Sequence, residues 1–258
     1  MTSARFFSRS LAAIVVTLLF APSVYAYSSN TWDFRTGSNG SPSTNTGYQY
    51  GNVRTFTENS NGWDETITAT VWADTGLPNP PGTLEDAYLG RYSTGLGSCN
   101  RGEGSISYCD GNNPLHQFDN AFQNDLVLFS MDQGRYQFNE VVIDPYGVHD
   151  RDVSFWVGSL SDLPSGGDLT GIAIDELVSV YGFTKYDDKN PRGSGPLTID
   201  LLDVEGNTLI FGSIFPPNKK VDRFKIRSLT ATLVPVPAAV WLMGSGLLAL
   251  FGMSRRKA

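Results

Sequence analysis

Apolar and polar positions alternate in short runs through the middle of the chain. Between Tyr27 and Val234 no segment sustains an apolar helical period over three turns. Thr66–Trp72 sets Ile67, Ala69 and Val71 on one face and threonines on the other. Leu126–Ser130 and Tyr136–Ile143 are apolar or β-branched runs separated by Asp132-Gln133-Gly134. Asp152–Gly158 alternates Val153, Phe155 and Val157 against Ser154 and Trp156. Leu197–Val204 and Thr208–Ile214 flank Glu205-Gly206-Asn207, a hairpin signal, and Arg223–Val234 alternates Phe224 and Ile226, then Leu229, Ala231 and Leu233. Ile172–Tyr181 fits both a strand and a short helix.

Short strands joined by polar turns predict an all-β fold, one antiparallel β-sandwich resembling a jelly roll. Gly37–Gly51, rich in Ser, Thr, Asn and Gly, and the proline-bearing Asp74–Gly82 read as surface loops. Neither marks a domain boundary, because the stretches before them are too short to fold alone.

The two ends follow another grammar. Arg5 and Arg9 precede the apolar run Leu11–Phe20, and small residues at Val24 and Ala26 suit signal peptidase, which predicts a signal peptide over 1–26. At the other end Val234-Pro235-Val236-Pro237 leads into the uncharged run Ala238–Met253, then Arg255, Arg256 and Lys257. Those charges sit where a cytoplasmic flank would hold them, so 235–258 reads as a transmembrane helix with a basic stub. The exported domain is then 27–234. A plain tail anchor that is never cut is the alternative.

This order of Pro-x-Pro, apolar helix and basic stub resembles the PEP-CTERM sorting signal of Gram-negative bacteria, with Val236 where that signal has an acidic residue. The resemblance implies processing by exosortase, a membrane protease-transpeptidase, and a link to exopolysaccharide-producing surfaces. The central stretch also resembles a group of exosortase-dependent surface proteins. The residues that carry this likeness are Gly95–Glu103, His116–Asn120, Asp125–Phe129 and Asp150–Ser154. It implies a secreted β-sandwich and supplies no functional residues.

Charge sharpens this picture. The chain of 258 residues carries −7 overall, but setting aside the five basic residues of the two ends leaves 14 basic against 26 acidic, or −12. Such a domain lacks the basic face of a nucleic-acid binder. Cys99 and Cys109, the only cysteines, predict a disulfide in an oxidising compartment. Closing a loop of about ten residues contributes ~2–3 kcal/mol.

Catalytic signatures are absent from the sequence. No Gly-x-Ser-x-Gly elbow, phosphate loop or His-Glu-x-x-His occurs, and His116 and His149 are the only histidines. Carboxylates such as Glu103 and Asp125 keep a glycoside hydrolase among the lesser readings. Two polar clusters offer hard oxygen ligands for Ca2+, namely Asp119 and Asn120, then Asp144, Asp150 and Asp152. Turn-forming side chains that bond their own backbone account for the same composition. Trp63, Trp72 and Trp156, with Tyr88 and Tyr146, are candidate faces for a sugar, with packing on the sandwich as the alternative for Trp72 and Trp156.

The leading expectation is a non-enzymatic exported protein, anchored transiently in the inner membrane and then displayed on the surface or in an exopolysaccharide matrix. Signal peptidase and exosortase would be its processing enzymes and exopolysaccharide its partner. A Ca2+-dependent carbohydrate-binding module is the alternative.

Overall fold

The computed structural model describes residues 29–36, 52–60, 63–75, 82–100, 116–121, 123–132, 134–145, 147–215 and 221–234, with the backbone of 43–45. Contacts divide the chain into two compact units, of which Ser28–Val234 is the β domain. Its strands are β1 (Ser29–Asp33), β2 (Ser43–Asn45), β3 (Val53–Ser60), β4 (Trp63–Asp74), β5 (Leu84–Asp86), β6 (Tyr88–Tyr92), β7 (Gly95–Cys99) and β8 (Phe118–Asp119). They continue with β9 (Asp125–Met131), β10 (Tyr136–Asp144), β11 (Val153–Gly158), β12 (Thr184–Asp188), β13 (Leu197–Gly206), β14 (Thr208–Ser213) and β15 (Arg223–Leu233). The one α-helix among the described residues, α1, is the single turn Glu176–Ser179.

Two antiparallel sheets face each other. The first runs β13-β10-β15-β7-β6, with β1 and β8 also on β15; the second runs β12-β11-β14-β9-β4-β3-β2, with β5 on β4. From β9 to β11, and again from β13 to β15, successive strands switch sheets. Between the sheets lies the main core, including Phe34, Phe56, Phe129, Phe138, Phe155, Phe211 and Phe224.

The central strands of the second sheet, β9, β14 and β11, are buried on both faces. The sheet's outer face is covered by the segment from Leu160 to Phe183, so that Trp72, Leu128, Trp156 and Ile210 pack against Leu163, Leu169, Ile174 and Leu177. This explains why β9 and β14 are apolar almost throughout rather than alternating. The first sheet keeps the alternation of a half-solvated face, visible along the predominantly polar outer face of β13.

Two expectations change. Leu197–Val204 and Thr208–Ile214 do not form a hairpin, because β13 pairs with β10 while β14 pairs with β11 and β9 in the other sheet. Glu205-Gly206-Asn207 is a corner between sheets. Gly206 packs so close to the Gly158 carbonyl that an added Cβ would lie 2.6 Å from it, and this contact, not a tight turn, requires the glycine. The ambiguous Ile172–Tyr181 forms α1 and flanking turns, with Ile172, Ile174 and Leu177 buried in the outer core.

No helix among the described residues is long and apolar enough to cross a membrane. The predicted signal peptide with Ala26, the sorting residues Pro235, Val236, Pro237, Arg255, Arg256 and Lys257, and the run 238–253 lie outside the described residues. Val234 is described, and its N–H donates to the Arg135 carbonyl at 2.8 Å, which fixes the chain as far as the residue before Pro235.

Candidate functional site

At the start of β15 the chain forms an isolated parallel bridge between Asp150 and Asp222, while His149 bridges Gly193. The bridges bring the connector 145–152 beside the 189–195 loop. Arg151 holds that loop through its backbone: Nε and Nη2 donate to the Pro191 carbonyl at 3.0 and 2.8 Å, and Nη1 to Gly195 at 3.0 Å. Arg192 reciprocates by donating to the Val148 carbonyl at 3.0 and 2.9 Å. Both guanidiniums therefore shape backbone.

Asp150, Asp152 and Asp222 converge there. Each offers a carboxylate oxygen within 4.8 Å of the other two, and all three are buried. Asp222 accepts from the Asp152 N–H at 3.0 Å and from Asn120 Nδ2 at 2.7 Å, and its own N–H donates to Asn120 Oδ1 at 2.9 Å. The Asn190 N–H donates to Asp152 Oδ1 at 2.6 Å. Burial raises the Asp222 carboxyl to about 7; the Asp152 N–H bond opposes this, whereas the Asp152 and Asp150 carboxylates add to it. At Asp222 burial beside two like charges disfavours the ionised form, and a divalent cation would favour it. A cavity of about 290 Å³ opens beside them, lined by His149, Asp150, Arg192 and Val221.

The predicted ligand set is thus partly assembled. Asp150 and Asp152 meet, and Asn120 joins through Asp222. Asp119 stands apart on β8, where it accepts from the Ala121 N–H at 2.9 Å and faces Arg223 at 3.4 Å; burial still raises its carboxyl. Asp144 does not belong to the cluster. It lies at the end of β10, 3.9 Å from Arg227 and opposite Lys225. Asp222 was missed by sequence reasoning, since it stands alone before an apolar strand and 70 positions from Asp152.

The tryptophans divide differently. Trp72 and Trp156 are 3% and 1% exposed and pack under the 160–183 cover, so neither presents a face to a sugar. The packing alternative describes them, and the reason is that the second sheet is covered on its outer side. The Trp63 side chain, Tyr146 and Glu103 lie outside the described residues. Asp125 is buried and accepts from Asn100 Nδ2 at 3.0 Å. Cys99 ends β7, is buried and is not a free thiol; Cys109 lies outside the described residues.

The class defined by this architecture is an all-β domain of two antiparallel sheets with an acidic corner at one end. Comparison with protein-family models, curated proteins and solved structures finds no match to this chain.

Proposed function

We propose that this chain is an exported, non-enzymatic surface or exopolysaccharide-matrix protein, processed at its C-terminal end by an exosortase. The jelly-roll form of the sandwich, the signal peptide and the C-terminal transmembrane helix belong to the same proposal. One observation carries it: a small-residue cleavage grammar ending at Ala26 and a Pro235-Val236-Pro237, apolar run and basic stub enclose a single acidic β domain. The closeness of the domain's two ends favours it too. Ser29 pairs with Thr232, so the chain enters and leaves the sandwich side by side. The intact mass of protein recovered from envelope and medium, with and without the cognate exosortase, tests the reading. The expected species begins at Tyr27 and ends near Val234–Pro237 only when the enzyme is present. A mass retaining 238–258 in both strains rejects processing.

The acidic corner favours a second property on the same molecule, Ca2+-dependent binding of polysaccharide. Three buried carboxylates supply hard oxygens, and the Asn120 and Asn190 amides steady them. A cation held by these carboxylates would leave coordination sites that hydroxyl groups of a sugar could fill. Calcium at about 100-fold over its dissociation constant is expected to stabilise the domain by ~2.7 kcal/mol, a rise of about 5–10 °C in Tm. The gain should vanish with chelator and in Asp152→Ala. Equal unfolding midpoints with calcium and with chelator reject the cation, and loss of calcium-dependent retention on the polysaccharide rejects the ligand alone.

A further inference from the structure

The first strand of the domain is completed only by the last. Among the described residues β1 is paired as a strand with β15 alone, from Ser29↔Thr232 to Asp33↔Ser228. Five residues long, it nevertheless starts the segment that closes the gap between the sheets. Trp32 and Phe34 point inward and are fully buried. Trp32 Nε1 donates to the Glu65 carbonyl on β4 at 3.2 Å; Phe34 stacks on Phe129 at 5.3 Å and meets Phe56 edge-on at 4.7 Å. An unoccupied slot along β15 would expose this aromatic lining and a row of unpaired backbone groups.

The connection from this segment to β2, which lies in the other sheet, is Gly37-Ser38-Asn39-Gly40-Ser41-Pro42. It holds no apolar anchor and, extended, reaches about 20 Å. Thr31 and its partner Thr230 are 199 positions apart, so β1 is synthesised long before the strand that receives it.

We propose that β1 exchanges between two copies of this chain, the Ser29–Phe34 segment of each filling the β15 slot of the other to form a strand-swapped dimer. The exchanged contacts are those made within one chain, so the swap costs little beyond association and hinge rearrangement. Register is set by the aromatic pair, since a slip of one residue turns Trp32 and Phe34 to the solvent face. The inference stands on the fold alone and is independent of export and of cation binding.

Thr31 and Thr230 place their hydroxyls 2.9 Å apart on the exposed face. Directly opposite Cα atoms in an antiparallel pair are about 4.5–5.5 Å apart, within disulfide reach. Two full-length chains, one carrying T31C and the other T230C, are co-produced, mildly oxidised and mapped by peptide mass. A dimer linked from 31 to 230 that stays dimeric on gel filtration after reduction is the expected result. Deleting Asn39-Gly40-Ser41 should raise its fraction several-fold by denying β1 its own slot. A chain with both substitutions controls for register by closing a 31–230 bond, whether within one chain or between two. The proposal is overturned if that control closes but no 31–230 link forms between chains, if the linked dimer reverts to monomer on reduction, or if the control itself fails to close.

Discussion

Tyr136 sits fully buried at the start of β10, and its hydroxyl has no hydrogen-bond partner among the described residues. Burial holds its phenol well above the usual range, with Glu65 and Asp132 adding to the shift. Removing that oxygen takes away a desolvated group and leaves the ring's packing intact. Tyr136→Phe is therefore expected to leave stability unchanged or raise it by up to about 1 kcal/mol in urea unfolding. A loss above that size would mean that the hydroxyl is satisfied. Lys225 is the opposite case, a cation in the interior. Its Nζ lies 4.8 Å from the centre of the Tyr92 ring, and burial lowers the ammonium to about 8, against the pull of Asp144. The folded value is below the unfolded one, so the unfolded chain holds more protons between about pH 8 and 10.5. The cost of burying Lys225 is complete below that window and fades as pH rises through it. Lys225→Met should raise the unfolding midpoint at pH 7, on the order of 2 kcal/mol, with the gain shrinking by pH 10. A gain that does not change with pH would assign the effect to packing.

β13 is an outer strand of its sheet, and Leu202 and Asp203 in its middle adopt φ of 60° and 52°. The kink is held by the Leu202 N–H donating to Asp200 Oδ1 at 2.8 Å and by Asn139 Nδ2 donating to Asp203 Oδ1 at 2.7 Å. It coincides with a register shift at Phe138/Glu140 on β10. A bulge there denies neighbouring molecules a flat strand edge. Leu202 is 61% exposed, so Leu202→Gly loses little packing and relieves left-handed strain, a gain of about 0.5–1 kcal/mol in thermal unfolding. The cover over the second sheet behaves otherwise. Leu177 is fully buried on α1, and Leu177→Ala is expected to cost about 2–5 kcal/mol and to shift tryptophan emission to the red as water reaches Trp72 and Trp156. Strands β13 and β15 were legible because period-two patterning survives where one face is wet, and β11 because its sequence alternates Val153, Phe155 and Val157 with Ser154 and Trp156 although both of its faces are buried. Pairing was not legible at Glu205-Gly206-Asn207, since the same residues suit a hairpin and a corner between sheets. The acidic connector at Asp150 and Asp152 could be read locally. Asp222 could not, because only a long-range bridge brings it there.

The β domain has two cores, and the buried Cys99 is the last residue of β7. If Cys99 and Cys109 pair as the sequence predicts, Cys99→Ser with Cys109→Ser should lower stability by about 2–3 kcal/mol. The native chain should then yield no titratable thiol until it is reduced. The acidic corner lies at one end of β15 and Val234 at the other, 11 strand residues or about 36 Å away. A ligand gripping that corner while the C-terminal end is anchored would put the domain under mechanical load. The tension would run along the covalent backbone of β15 itself, flanked by β10 on one edge and by β1, β7 and β8 on the other. No sheet hydrogen bond needs to break for force to pass from one end to the other. The sandwich would hang on its last strand as on a cable, and could transmit a pull without unfolding.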